Sequence, residues 1–333
     1  MPPPVRRSVL VAVVTFACGL VLAGAAFAGN GGVAPPAPAS PGAQDIRTIY
    51  WLILGISAAI FLLVTVTLVL FVVRYRSRGR PREVEGPQVR GHTNLELAWT
   101  AGPVVILAII AGFVFWKVAD IGATAGSPTS SPAREQIRID GHQYYWEFTY
   151  PNGAVSVNNL RLPYNRPVRL KIVSHDVNHS WWVPALGGKL DAIPGKPNQT
   201  TWLATKLGTY SGQCAEFCGL LHAQMLAQVE VLPAAQYASF IRQRKTDKEA
   251  LGKETFVGVC AKCHGLAGQG GYGPNIAANP LLGNKAGLTN ILRTGVGKMP
   301  AVGNDWRQFQ IDALVAYLHT RFHVSGGTSG SQG

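Results

Sequence analysis

The sequence predicts a multi-domain membrane protein: a two-helix transmembrane hairpin, then a β-sandwich, then a small all-α domain. Three observations predict it. Two long runs carry no charge at all. Between Glu135 and Leu232, short β-type segments are punctuated by Pro and Gly. After Pro233 the helical period returns. A length of 333 residues suffices for about two folded domains beside the hairpin.

The N-terminus reads as a secretory signal over residues 1–28. Arg6 and Arg7 precede an apolar centre, Val9 to Leu22, and Ala26-Phe27-Ala28 is a small-x-small cleavage site. A retained third membrane helix is the alternative. Residues 29–46, rich in Gly, Pro, Ala and Ser, read as a linker. The hairpin spans 47–118. Its first run, 49–73, and its second, 97–116, are each long enough to cross a bilayer. Trp99 and Trp116 stand near the ends of the second as interfacial anchors. Between the runs lie Arg74, Arg76, Arg78, Arg80, Arg82 and Arg90, against Glu83 and Glu85. The positive-inside rule puts this loop in the cytoplasm and both ends outside, in agreement with the signal. The same placement accounts for much of the net charge of +13 without nucleic acid, for which no aromatic-basic interleaving or binding motif is present.

A small-residue linker, Ala123 to Pro132, leads to the sandwich over 134–232. Strands are expected at Gln136 to Asp140, Tyr144 to Tyr150, Val168 to Val173, Thr200 to Ala204 and Ala227 to Val231. A charged connecting helix is expected from residue 234 to about 250, with 233–247 the linker between domains. The last domain, 248–323, ends in an amphipathic helix, Asp305 to Thr320, with Phe309, Leu314 and Leu318 on one face. The Gly/Ser-rich tail, 324–333, reads as disordered.

Five cysteines carry most of the chemistry. Cys18 lies in the signal and lacks a lipoprotein context. Cys214 and Cys218 are followed by His222 and Met225, and upstream stand His175 and His179. Thiolates, imidazoles and a thioether select copper. A mononuclear blue-copper site needs one Cys; the second thiolate suits a bridge across two copper ions, which spreads one electron over two metals. A disulfide would leave His222 and Met225 without a role, and a zinc site would leave Met225 idle. Spacing alone does not choose between His175 and His179. Met1, Met225 and Met299 are the only three methionines, so two of them fall at ligand positions.

Cys260-Ala-Lys-Cys263-His264 is a c-type heme attachment sequence. Two thiols three residues apart reach the two vinyl groups of one heme edge, and His264 then faces the iron. A redox pair or a zinc knuckle would not need that His. Met299, in Gly297-Lys298-Met299-Pro300, completes a His/Met axial pair.

The stretches Leu95 to Thr100, Gly141 to Trp146, Asp176 to Pro184, Asp191 to Gly195 and Cys214 to Met225 resemble cytochrome c oxidase subunit II, over roughly residues 45–232. The resemblance implies a cupredoxin-like Greek-key domain with a dinuclear CuA centre. Its ligands carry over as His179, Cys214, Cys218, His222 and Met225, with the Glu216 backbone carbonyl. The Glu216 side chain is further implied to help hold magnesium at the interface with subunit I. Glu96, at the start of the second membrane helix, would lie at the mouth of a proton channel of subunit I; its bland alternative is a carboxylate favoured by the helix dipole. Many family members have, where Tyr144 stands, a Trp beneath the docking site of soluble cytochrome c; Tyr144 is the candidate electron-entry aromatic by position, and its departure from Trp puts the carried-over entry role in doubt. Residues 248–322 resemble a class I cytochrome c, with Pro274 as the proline whose carbonyl holds the axial His.

The fusion as a whole is similar to the second subunit of cytochrome caa-type heme-copper oxidases. That implies subunits I and III as partners and membrane lipid around the hairpin. Electrons would come from a quinol-cytochrome c reductase or a cytochrome c. Oxygen would be reduced to water, with proton pumping, in subunit I. The implied location is a bacterial cell membrane, with copper and heme domains on the outer face. Rival readings are a quinol oxidase subunit, which would lack Cys214, Cys218 and Met225, a CuA-bearing nitric or nitrous oxide reductase, and a stand-alone membrane electron carrier, which would not need Glu96.

Overall fold

The computed structural model describes residues 34–76, 88, 90–125 and 135–323. The signal segment, most of the arginine-rich loop and the C-terminal tail lie outside them.

Residues 44–123 form one compact unit. Two helices make it, α1 (Pro41–Tyr75) and α2 (Thr93–Ala125), both long and apolar enough to cross a membrane. They extend beyond the uncharged runs. α1 begins inside the stretch read as linker, since an Ala/Gln/Asp/Ile sequence after Pro41 accepts helix as readily as coil. α2 continues into the next linker as far as Ala125. Leu63, Phe71, Val105 and Phe115 are exposed along them, as side chains facing lipid must be. Asp45 and Lys117 pair at 3.1 Å. At the other end the Glu96 carboxylate accepts the His92 N–H at 3.2 Å. It thereby satisfies a backbone donor that the first turn of α2 leaves free.

The rest of the described chain, residues 34–43 and those from residue 124 on, forms the second unit. Ten strands build a two-sheet sandwich. The first sheet has the order β3-β2-β1-β5-β8, with β1 (Gln136–His142), β2 (Tyr145–Thr149), β3 (Val155–Val157), β5 (Pro167–Ser174) and β8 (Asn198–Leu203). The second has the order β4-β10-β9-β6-β7, with β4 (Asn159–Pro163), β6 (His179–Trp182), β7 (Leu190–Ala192), β9 (Gly208–Cys214) and β10 (Leu226–Leu232). β1 runs parallel to β5, and β4 parallel to β10, so the chain crosses between sheets rather than meandering. Inward residues alternate with outward ones, most regularly in β5. Trp146, Phe148, Trp181 and Ile139 are fully buried between the sheets.

All five expected strands are present, with ends shifted by a residue or two. Strands β3, β4, β6, β7 and β9 were not expected. They are short, or they carry Ser, Asn, Gly and His where alternation would ask for apolar residues.

Helices follow. The connecting helix is two: α3 (Ala234–Arg244) and α4 (Lys248–Thr255). The break falls at Asp247, whose carboxylate accepts the Ala250 N–H at 2.9 Å and starts α4 afresh. A wider turn, Phe256–Cys260, leads into α5 (Ala261–His264), then α6 (Lys285–Thr294) and α7 (Gln308–Phe322). Leu314 and Leu318 of α7 are buried as expected, and Phe309 is half-buried.

The helical domain shares its core with the sandwich. Tyr145 and Val157 of the sandwich belong to the same apolar cluster as Phe256, Leu292, Trp306 and Leu314. The Tyr145 hydroxyl donates to Val302 O at 2.9 Å and accepts from Trp306 Nε1 at 3.0 Å. Gln310 Nε2 donates to the buried Glu147 carboxylate at 2.8 Å. Arg161 binds Glu254 at 2.8 Å.

Candidate functional site

Strands β6 and β9 are neighbours, with Trp181 opposite Cys214. That register brings His179, at the start of β6, to the end of β9. From Cys214 the chain loops out and returns at Met225, just before β10. One bond pinches the loop shut, Cys214 N–H to Met225 O, and another ties it to β6, Ala215 N–H to Ser180 O, both 2.9 Å. The loop therefore folds its own donors inward. The Sγ atoms of Cys214 and Cys218 are 4.0 Å apart, and neither is in a disulfide. His179 Nδ1 lies 3.8 Å from Cys214 Sγ. His222 Nδ1 lies 3.4 Å, and Met225 Sδ 3.7 Å, from Cys218 Sγ. Glu216 O is 3.2 Å from Cys214 Sγ. Cys214, Cys218, His179 and Met225 are buried, while the Glu216 side chain is exposed.

Two thiols, two imidazoles, a thioether and a carbonyl thus converge, the soft and borderline set that suits copper. His175 is not among them; its ring faces Asp140 and Asp305 instead. Behind His179, Asp176 Oδ1 binds Nε2 at 2.7 Å, which leaves Nδ1 toward the thiols. Asp176 is itself fixed by the Gln143 N–H at 2.6 Å. Burial pushes the Cys218 thiol up to about 12, helped by the charge of neighbouring Cys214. In Cys214 burial acts the same way, but the hydrogen bonds from His179 and the backbone outweigh it and lower the thiol. A bound cation would remove the cost of ionising both.

In the helical domain, Cys260 closes the wide turn, and Cys263 and His264 sit on α5. His264 Nδ1 is 2.8 Å from Pro274 O. A Cβ on Gly273 would stand 2.9 Å from His264 Cε1, so only glycine lets the chain pass this close. The imidazole is thereby oriented from behind, with Nε2 left for a metal. Met299 is half-buried against the apolar cluster of Phe256, Leu288, Leu292 and Leu318. The four cysteines of the two sites are all free thiols.

The two sites are joined by contacts that sequence spacing does not reveal. Lys262, between the heme cysteines, donates its ammonium to Tyr144 O. Gln143 Nε2 donates to Cys218 O at 2.6 Å. The Tyr144 hydroxyl accepts the Leu220 N–H at 3.1 Å and packs on Gly219, within the copper loop. Lys262 and Gln143 were visible only as unremarkable members of matched motifs.

The comparisons with known proteins agree along the chain. Residues 29–116 match the transmembrane domain of cytochrome c oxidase subunit II, and residues 153–232 its periplasmic domain. Residues 247–318 match the cytochrome of cbb3-type oxidase subunit III. The cytochrome c oxidase subunit 2 of Alkalihalophilus pseudofirmus is 29% identical over 306 residues, covering 85% of this chain and 89% of that one. That of Thermostichus vulcanus is 32% identical over 257 residues, covering 63% and 78%. That of Bacillus sp. is 30% identical over 281 residues, covering 73% and 78%. Apolar hairpin, copper-type sandwich and c-type heme domain together define a membrane-anchored electron-transfer subunit. The chain belongs to the cytochrome c oxidase subunit 2 family. It serves electron transfer to CuA in a heme-copper oxidase, with copper and heme c as its cofactors and other oxidase subunits and a cytochrome c donor as its partners. The sandwich is an outer-face domain of a membrane protein.

Proposed function

We propose that this chain is the electron-receiving subunit of an aa-type cytochrome c oxidase in a bacterial cell membrane, and that electrons come in through its own heme domain. Cys260 and Cys263 hold the heme covalently, with His264 and Met299 as axial ligands. His179, Cys214, Cys218, His222, Met225 and the Glu216 carbonyl hold a copper pair. When bound, these groups each supply a one-electron couple, and oxygen is reduced in subunit I. Asp176 orients His179, and Pro274 O orients His264, so neither imidazole has to turn when charge changes. The Glu216 carboxylate, which is exposed, would share a magnesium ion with subunit I. Subunit III and a quinol-cytochrome c reductase complete the assembly.

The observation that carries the reading is the bridge Lys262–Tyr144–Gln143–Cys218. It links the heme-binding turn to a copper ligand through two hydrogen bonds and one short piece of chain. Charge points the same way. Between residues 134 and 232, Lys and Arg outnumber Asp and Glu, so a basic soluble cytochrome is not steered to the sandwich. A tethered donor needs no steering, being held at an effective concentration on the order of millimolar.

The test uses the assembled oxidase carrying His264→Ala. An added basic cytochrome c should reduce its copper centre slowly, while the parent's copper follows its own heme rapidly. Fast reduction of the variant, falling steeply with salt, would show a direct docking site and defeat the proposal.

A further inference from the structure

We propose that His142, His175 and Asp305 form a separate, sulfur-free site for a divalent transition metal ion of the zinc type, built across the join between the sandwich and the helical domain. His142 ends β1 and His175 follows β5, while Asp305 precedes α7 of the helical domain. Their ligand atoms all lie within 4.8 Å of one another. Asp305 Oδ2 is 3.2 Å from His175 Nδ1 and 3.8 Å from His142 Nε2. In a tetrahedral zinc shell, with bonds of about 2.0–2.1 Å, neighbouring donor atoms stand about 3.3–3.4 Å apart. The observed spacing is close to that one, and because the His142 and His175 rings are stacked at 11° between planes, one ring must turn about its side-chain bonds before both lone pairs meet at one ion.

Three features set the cluster apart from an ordinary ion pair. The first is the hold on His175 from behind. Its Nε2 meets Asp140 Oδ1 at 2.6 Å, and Asp140 is in turn bound by Arg138 at 2.7 Å. Without an ion, Asp140 and Asp305 flank the ring and raise its pKa, so Nδ1 carries a proton toward Asp305; a bound cation would take that proton's place while Asp140 keeps hold of Nε2, the arrangement found behind metal-binding histidines. The second is His142. Its ring is stacked between Tyr145 and His175, each with centroids 4.7 Å away, and burial lowers its pKa. A neutral imidazole is the form that binds metal. At 3.8 Å its Nε2 is beyond hydrogen-bond reach of Asp305, so no hydrogen bond there holds the ring against turning toward an ion. The third is access. The side chains of His175 and Asp305 are 32% and 40% exposed, leaving room for an ion to arrive and for water as a fourth ligand. Two ring nitrogens and a carboxylate, without sulfur, suit zinc and related ions rather than the soft copper pair. Because Asp305 comes from the helical domain, an ion here clasps that domain onto the sandwich.

The experiment takes the assembled, copper- and heme-loaded oxidase, washes it with chelator and titrates it with zinc chloride. One zinc should bind per chain, with X-ray absorption showing only nitrogen and oxygen ligands. Affinity should fall as pH falls, because the histidines must shed protons. Asp305→Asn and His175→Ala should each weaken binding at least tenfold. Asp140→Asn, which leaves all three ligands in place, should weaken it about 10–100-fold while the copper and heme spectra stay as in the parent. Absence of a stoichiometric zinc, sulfur in its shell, or binding indifferent to all three substitutions would overturn the site and leave an ion-pair clasp.

Discussion

Lys262 ends on the backbone carbonyl of Tyr144, so the residue between the two heme cysteines touches the residue that packs on the copper loop. The contact is part-buried, and desolvation pushes the ammonium down to about 8. Lys262→Met keeps the stem and removes the donor. Losing the donor leaves the Tyr144 carbonyl without this partner, at a cost of about 1–3 kcal/mol, which is below the roughly 5–15 kcal/mol of an ordinary fold, so the variant should fold and keep both cofactors. Transfer from heme to copper should nevertheless slow several-fold, measured by flash reduction of the assembled oxidase. An unchanged rate would mean that the bridge through Tyr144 and Gln143 is not the route.

Glu147 gives the join a pH dependence. Burial raises its carboxyl to about 7, although the hydrogen bond from Gln310 acts in the opposite direction. A carboxyl whose folded pKa is raised is penalised when ionised. Stability is therefore full below about 4.5 and falls as pH rises through about 7. The loss is on the order of 3 kcal/mol, from about 1.4 kcal/mol per pH unit. Denaturant midpoints between pH 4.5 and 8 should show this decline. Glu147→Gln should flatten it, because the amide can still accept from Gln310.

Cys218 stands among Cys214, His222 and Met225 at 3.4–4.0 Å. Cys218→Ser should therefore abolish the mixed-valence copper signal in electron paramagnetic resonance and leave at most one copper per chain. The covalent heme should be unaffected. A retained seven-line pattern would rule out two bridging thiolates.

What was legible in the sequence followed from residue types that have few uses. Cys, His and Met at close spacing marked both candidate sites, and two uncharged runs marked the hairpin. The join was not legible. Tyr145 reads as a strand residue of a sandwich and Val157 falls in no expected strand, yet both lie in the core of the helical domain, and nothing local marks that. Strand β9 was missed because Gly208, Ser211 and Gly212 break the alternation a strand would show. His175 looked like a rival copper ligand; only the register of β1 with β5 reveals that it faces Asp140 and His142. Contacts between residues far apart in sequence leave no periodic trace.

Gly273 lies against the His264 ring, where a Cβ would approach to 2.9 Å. Gly273→Ala must push the imidazole or the chain aside, a misfit that typically costs about 1–3 kcal/mol. The hydrogen bond to Pro274 O should lengthen, and the heme potential should shift while the thioether attachment persists. Redox titration of the heme band would detect this. An unshifted potential would show that the ring is held by something other than the Pro274 turn.

Glu96 is the position where a structural and a functional role must be separated. Its carboxylate accepts the His92 N–H at 3.2 Å, and the same turn is closed by Leu95 N–H to His92 Nδ1 at 3.3 Å. A carboxylate here favours the helix start through both the bond and the dipole. A role at the mouth of a proton channel needs something more, namely a group that takes up and releases protons. Glu96→Gln keeps an acceptor for His92 and removes the titrating group; Glu96→Ala removes both. If Glu96 passes protons, both variants should slow turnover of the assembled oxidase to a similar degree, while heme-to-copper transfer stays at the parental rate. If it only starts α2, Glu96→Gln should turn over like the parent and Glu96→Ala alone should lose activity, together with thermal stability of the complex. Comparing turnover and melting temperature of the two variants side by side decides between them.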